Sequence, residues 1–178
     1  MKKSIIIIAV ILMASFSSNL FAQNQTATAN SPTAAKIVET ITIGPDATGL
    51  DLNFGTMSKP STIATVTVPN NGGIRTSTGT ITLLSQNPVH KAASYATTGD
   101  NLAYYTITLP GTINVTNTGA GAETMVVNGF TCSKPDLGNV QFDASGDDSF
   151  TVGATLNLAA NQAAGSYTGS YPVTVAYN

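Results

Sequence analysis

The chain has 178 residues, of which 42% are hydrophobic and only 9% charged, with a net charge of −2 at pH 7. Seven Lys and Arg against nine Asp and Glu argue against nucleic acid or an anionic membrane as partner, since both need clustered cations. The single cysteine rules out an internal disulfide. The 27 threonines that stand in for charge suit a pleated sheet, where β-branched side chains pack well.

Lys2 and Lys3 precede an apolar run from Ser4 to Phe16. Ser17, Ser18 and Asn19 are polar, and Ala22 is a small residue before Gln23. This tripartite pattern reads as a secretory signal over residues 1–22, cleaved after Ala22. The run falls short of the ~18–20 residues that cross a bilayer, so no membrane span is expected after cleavage. No cysteine follows Ala22 to carry a lipid. The expectation is an exported protein, in the periplasm, on the cell surface or outside the cell.

Residues 23–35 are small, polar and aperiodic, and read as a flexible leader. A single β domain is expected over residues 36–178. Lys36 to Ile43 is β-branched, with Ile37, Ile41 and Ile43 on one side, and Gly44-Pro45-Asp46 should break it. Leu50 to Phe54 alternates and stops at Gly55. Ser61 to Val68 follows, then the turn signal Pro69-Asn70-Asn71-Gly72-Gly73. Gly79 to Leu84 and a weaker Ala92 to Thr97 come next. Ala103 to Leu109 puts Tyr105, Ile107 and Leu109 inward, and Ile113 with Val115 forms a short return strand.

Glu123 to Cys132 is a strand with an expected bend at Gly129. Val140 to Phe142 is short, and Phe150 to Leu158 is long, with a bulge expected at Gly153. Ala159 to Ala164 suits one helical turn. The C-terminal run alternates Tyr167, Gly169, Tyr171, Val173, Val175 and Tyr177 on one face, as a long half-buried strand does. Roughly ten short strands with frequent turn signals make an all-β antiparallel sandwich.

Three stretches in order, Leu50-Asp51-Leu52-Asn53-Phe54-Gly55, Phe150 to Leu156 and Gly165 to Tyr177, carry a resemblance over most of the chain beyond residue 22. Together they make it similar to the bacterial secreted family described as domain of unknown function 4402. Members of that family look similar to fimbrial subunits with immunoglobulin-like folds. The resemblance implies a surface or structural role and an immunoglobulin-like sandwich, and it supplies no catalytic residues. Many usher-assembled pilins carry a cysteine pair and a bulky apolar N-terminal donor segment. Here Cys132 is alone and residues 23–35 are small, so Lys36 to Ile43 is the better donor candidate, with Glu39 interrupting its apolar face.

Candidate chemistry is sparse. A Cys132, His90 and Asp136 triad lacks any local support, and Cys132 reads as a buried, inert hydrophobe after Phe130. No phosphate-binding glycine loop opens a helix. Asp143, Asp147 and Asp148 place three carboxylates in one turn and are weak calcium candidates, without EF-hand spacing. The same residues suit an Asx-rich turn. Among the tyrosines, Tyr105, Tyr167, Tyr171 and Tyr177 fall on core-facing positions, and Tyr104 points the other way. No cofactor and no catalytic residue is expected. The expected role is an exported, non-catalytic pilus-like or cell-surface subunit that associates through edge strands or with other surface proteins. The alternative is a secreted monomeric module that binds carbohydrate or protein.

Overall fold

The computed structural model describes residues 26–47, 49–119 and 121–178. The signal segment expected over residues 1–22 lies outside the described residues. Two units are distinguished, Met1–Lys36 and Ile37–Asn178. In the first, residues 26–36 are exposed and without regular structure.

The second unit is all-β, with no helix among the described residues. Its strands are β1 (Thr42–Pro45), β2 (Ala64–Val68), β3 (Thr76–Thr78), β4 (Ala93–Thr98), β5 (Tyr104–Thr108), β6 (Thr112–Asn117), β7 (Thr124–Cys132), β8 (Val140–Gln141), β9 (Asp147–Leu158), β10 (Tyr167–Thr168) and β11 (Thr174–Tyr177). They form two antiparallel sheets. The larger runs β1-β4-β9-β7-β6-β10, with the β2–β3 hairpin also on β9, and the smaller is β11-β5-β8.

The twelve-residue β9 organises the large sheet. Its first half pairs with β4 (Ala93 opposite Val152, Tyr95 opposite Phe150), and its second half with β2 (Ala64 opposite Leu158). β7 lies along its other side, and the register slips between Asn128 and Thr131. Gly129 sits in that slip at φ +59°, a backbone conformation that favours glycine.

Alternation along these strands builds two clusters. Phe150, Val152, Tyr95 and Ala93 from the large sheet meet Tyr105, Ile107 and Val140 from the small one, which makes the sandwich. Tyr105 stacks on Phe142 at 4.3 Å between ring centroids, and Tyr95 on Phe150 at 5.2 Å. The second cluster gathers Val66, Met125, Val127, Leu156 and Leu158 on the same face of the large sheet. It has no strand of the small sheet above it; Leu52, Phe54, Met57 and Leu83 from irregular segments pack there instead.

Several expectations are corrected. The strand expected over 36–43 begins only at Thr42, and Gly44 and Pro45 lie inside β1 rather than breaking it. Pro45 is tolerated because β1 is an edge strand. Segments 50–54 and 79–84 reduce to the isolated bridges Asn53–Lys91 and Met57–Leu83. No bulge occurs at Gly153, and residues 159–164 make a single turn closed by Gln162 N–H donating to the Ala159 carbonyl. The C-terminal strand is split. β10 pairs with β6 in the large sheet, β11 pairs with β5 in the small one, and residues 169–173 cross between them. Pro172, which has no N–H to give a ladder, lies in the crossing.

Candidate functional site

An open groove of about 1030 Å³ lies over the second cluster. Its floor is the apolar face of β6, β7 and β9, including Val115, Val127 and Leu156. One wall is the segment 50–60. Asn53 exchanges backbone hydrogen bonds with Lys91 (2.9 and 2.8 Å), and Thr56 and Ser58 donate to Pro88 and Thr82, so this wall is tied on its outer side. The backbone groups of Leu52 and Met57 have no hydrogen-bond partner among the described residues.

The opposite wall is the segment 162–173. The Tyr167 hydroxyl donates to the Ala163 carbonyl at 2.8 Å and accepts from the Gln162 side chain at 2.9 Å, which folds this segment into a fixed turn. Beyond β10 the backbones of Ser170, Tyr171 and Val173 also lack hydrogen-bond partners among the described residues. Tyr171 lines the groove and packs against Phe130 at 5.1 Å. Its hydroxyl is buried beside the hydroxyl of Tyr95. Burial, with Tyr95 beside it, pushes its pKa up.

Arg75, the only arginine in the chain, holds the first wall. It is 6% exposed, and its guanidinium donates to the carbonyls of Phe54, Thr56 (2.8 Å) and Leu84 (2.7 Å). Burial draws its pKa down. Three donors in a planar fork bridge three backbone turns, a task for which a lysine has the wrong geometry. Sequence reasoning missed this residue, and the one signal available was that a chain so poor in cations retains a single arginine.

The other sequence candidates are dispersed. His90 lies in a small cleft beside Ile74, Arg75 and Val89. Asp136 accepts from the N–H of Gly138 at 3.0 Å within its own turn. Cys132 ends β7 opposite Val152 and is half-buried rather than buried, packed at the margin of the first cluster. Burial is the main influence on its thiol and raises the pKa, although Lys134 N–H approaches Sγ at 3.5 Å.

The three aspartates separate by role. Asp143 Oδ1 accepts from the N–H groups of Ser145 (2.8 Å) and Asp147 (2.9 Å), and these bonds lower its pKa. Asp148 faces inward and is shared by the Lys134 ammonium and the Tyr105 hydroxyl, the latter at 2.8 Å. Among the described residues no three His, Cys, Asp or Glu side chains come together as a metal-binding group. Tyr105 is fully buried, Tyr167 and Tyr177 pack against the two clusters, and Tyr104 is 47% exposed. No helix among the described residues is long and apolar enough to cross a membrane, which leaves β-barrel spans unaddressed.

Residues 41–177 match the family described as domain of unknown function (DUF4402). No curated protein and no solved structure matches the chain.

Proposed function

The chain belongs to the DUF4402 family, and from that premise we propose that it is an exported, non-catalytic structural subunit of a pilus-like or other cell-surface assembly, with an immunoglobulin-like sandwich. The observation that carries this reading is the groove. It lies over the second cluster between two walls whose backbone groups at Leu52, Met57, Ser170, Tyr171 and Val173 have no hydrogen-bond partner among the described residues. Buried apolar surface and an open backbone edge are what strand addition uses, with main-chain bonds giving affinity and pockets for alternate side chains giving specificity. The low charge of the chain fits this use, since edge charges are a common guard against pairing between molecules.

The groove volume also supports a second reading, a secreted monomeric module that binds carbohydrate or protein, because pockets for discrete ligands are about 300–1,000 Å³. Electron microscopy of the surface fraction from producing cells, with antibody labelling of this chain, separates the two. Labelled fibres or arrays support the subunit reading; label confined to monomer in the medium supports the binding module.

A further inference from the structure

We propose that the fold joins Lys134 to Asp148 through an amide bond, formed between Lys134 Nζ and Asp148 Cγ with loss of one water. The proposal is independent of what the groove holds. It starts from two ion pairs that differ in kind. Lys91 and Asp51 lie 3.9 Å apart with side chains 37% and 86% exposed, a solvated surface pair. Lys134 Nζ lies 2.5 Å from Asp148 Oδ1, with side chains 25% and 13% exposed.

Both partners are held by the large sheet. Asp148 lies in β9 opposite Thr97 of β4. Lys134 follows the last pairing of β7 with β9, Cys132 opposite Val152. Ser133 extends that contact, since its N–H donates to the Thr151 carbonyl and its Oγ accepts from the Thr151 N–H, each at 2.9 Å. Alternation puts Asp148 on the face of β9 that carries Phe150 and Val152 into the first cluster. The opposing sheet supplies Tyr105, fully buried, whose hydroxyl donates to Asp148 Oδ2 at 2.8 Å. The N–H of Ser149 donates to Oδ1 at 2.7 Å, so both carboxylate oxygens are fixed.

The reaction balances without a co-reactant. The ammonium passes one proton to Oδ1, which leaves a neutral amine beside a carboxylic acid. The amine attacks Cγ, negative charge gathers on Oδ2, and the Tyr105 hydroxyl stabilises it there. Burial keeps that hydroxyl protonated, and hence a donor, throughout. The Cγ–Oδ1 bond then breaks, and Oδ1 departs as water with a second proton from the amine. An ion pair withdrawn from water is costly to keep, whereas the amide has no charge to desolvate. Order supplies the rest of the drive: groups held in reacting geometry reach effective molarities of roughly 10⁵–10⁸ M. The product staples the end of β7 to β9, the two longest strands, in a chain whose single cysteine leaves it no internal disulfide.

The test reads the covalent structure of the full exported chain, digested after denaturation. Chymotrypsin cuts after Phe130, Phe142 and Phe150, which separates residues 131–142, with Lys134, from residues 143–150, with Asp148. Mass spectrometry should find these two peptides joined, at their summed mass less one water. Lys134→Arg keeps the positive charge, offers no amine to attack Cγ, and should return the peptides unlinked. Recovery of the two wild-type peptides only as separate species overturns the proposal, as does a linked pair that survives in Lys134→Arg.

Discussion

The hydroxyl of Tyr177 donates a 2.8 Å hydrogen bond to the carbonyl of Glu39, 138 residues earlier. The same oxygen accepts from the N–H of Asp100 at 2.6 Å, and the ring meets Phe142 edge-on. One side chain of the last strand thus ties the incoming chain and the β4–β5 loop to the core. Tyr177→Phe keeps the ring and removes both bonds. It should cost about 1–2 kcal/mol, the net worth of two hydrogen bonds from one hydroxyl. Denaturant melts together with faster amide exchange at Asp100 would register this; an unchanged midpoint and unchanged exchange would refute it.

Arg75→Met removes three charge-assisted bonds to the carbonyls of Phe54, Thr56 and Leu84 while preserving much of the side-chain volume. A loss of about 2–4 kcal/mol is expected, since the Phe54 and Leu84 carbonyls lose their donor, while that of Thr56 keeps the Leu84 N–H. Arg75→Lys should recover only part of it, because one ammonium does not span the three acceptors. Thermal melts of the two variants decide the point, and full rescue by lysine would contradict the fork geometry.

Tyr105 and Tyr171 both have raised pKa values, chiefly from burial, with the Asp148 carboxylate adding to the effect at Tyr105 and Tyr95 at Tyr171. A group whose folded value lies above its unfolded value favours the fold while it stays protonated. Its contribution is complete below the unfolded tyrosine value of about 10 and is lost as pH climbs from there toward the folded value. Stability measured by denaturant between pH 9 and 12 should therefore fall, with tyrosinate absorbance rising together with unfolding. Tyrosinate formation well before the loss of structure would show these hydroxyls to be accessible.

Removal of residues 171–178 takes away β11, the partner of β5, together with Tyr171, Val173, Val175 and Tyr177, all packed on the first cluster. Full burial of such a side chain contributes about 1.5–3 kcal/mol. These four are half-buried, so roughly 3–6 kcal/mol is lost, comparable with the ~5–15 kcal/mol of an ordinary domain. The truncated chain should be unfolded or aggregated by circular dichroism. A cooperative melt near that of the full chain would count against this.

Period-two alternation made much of the sheet legible. Tyr105 and Ile107 in β5, and Phe150 to Leu158 in β9, face inward as their spacing implies. Alternation does not say which sheet a strand joins, however. The same face of Tyr167 to Tyr177 serves two sheets, half-buried at every position but Gly169. Thr76–Thr78 was invisible, being fully exposed and held by pairing with β2 rather than by burial. Gly153 was legible as special but for another reason: a Cβ there would lie 2.2 Å from the Val68 carbonyl and 2.6 Å from Asn70 N, so the chain leaving β2 requires its absence. The groove could not be read at all, since its walls at Leu52 and Tyr171 come from distant parts of the chain and no local pattern records a missing neighbour.

Size-exclusion chromatography with light scattering, on the exported chain across a concentration series, tests most directly whether this protein works by assembling. Masses that grow with concentration through successive multiples of one subunit, resolving as linear particles by electron microscopy, are the expected result. A single monomer mass at all concentrations, with no fibres in the native surface fraction, would contradict the structural role.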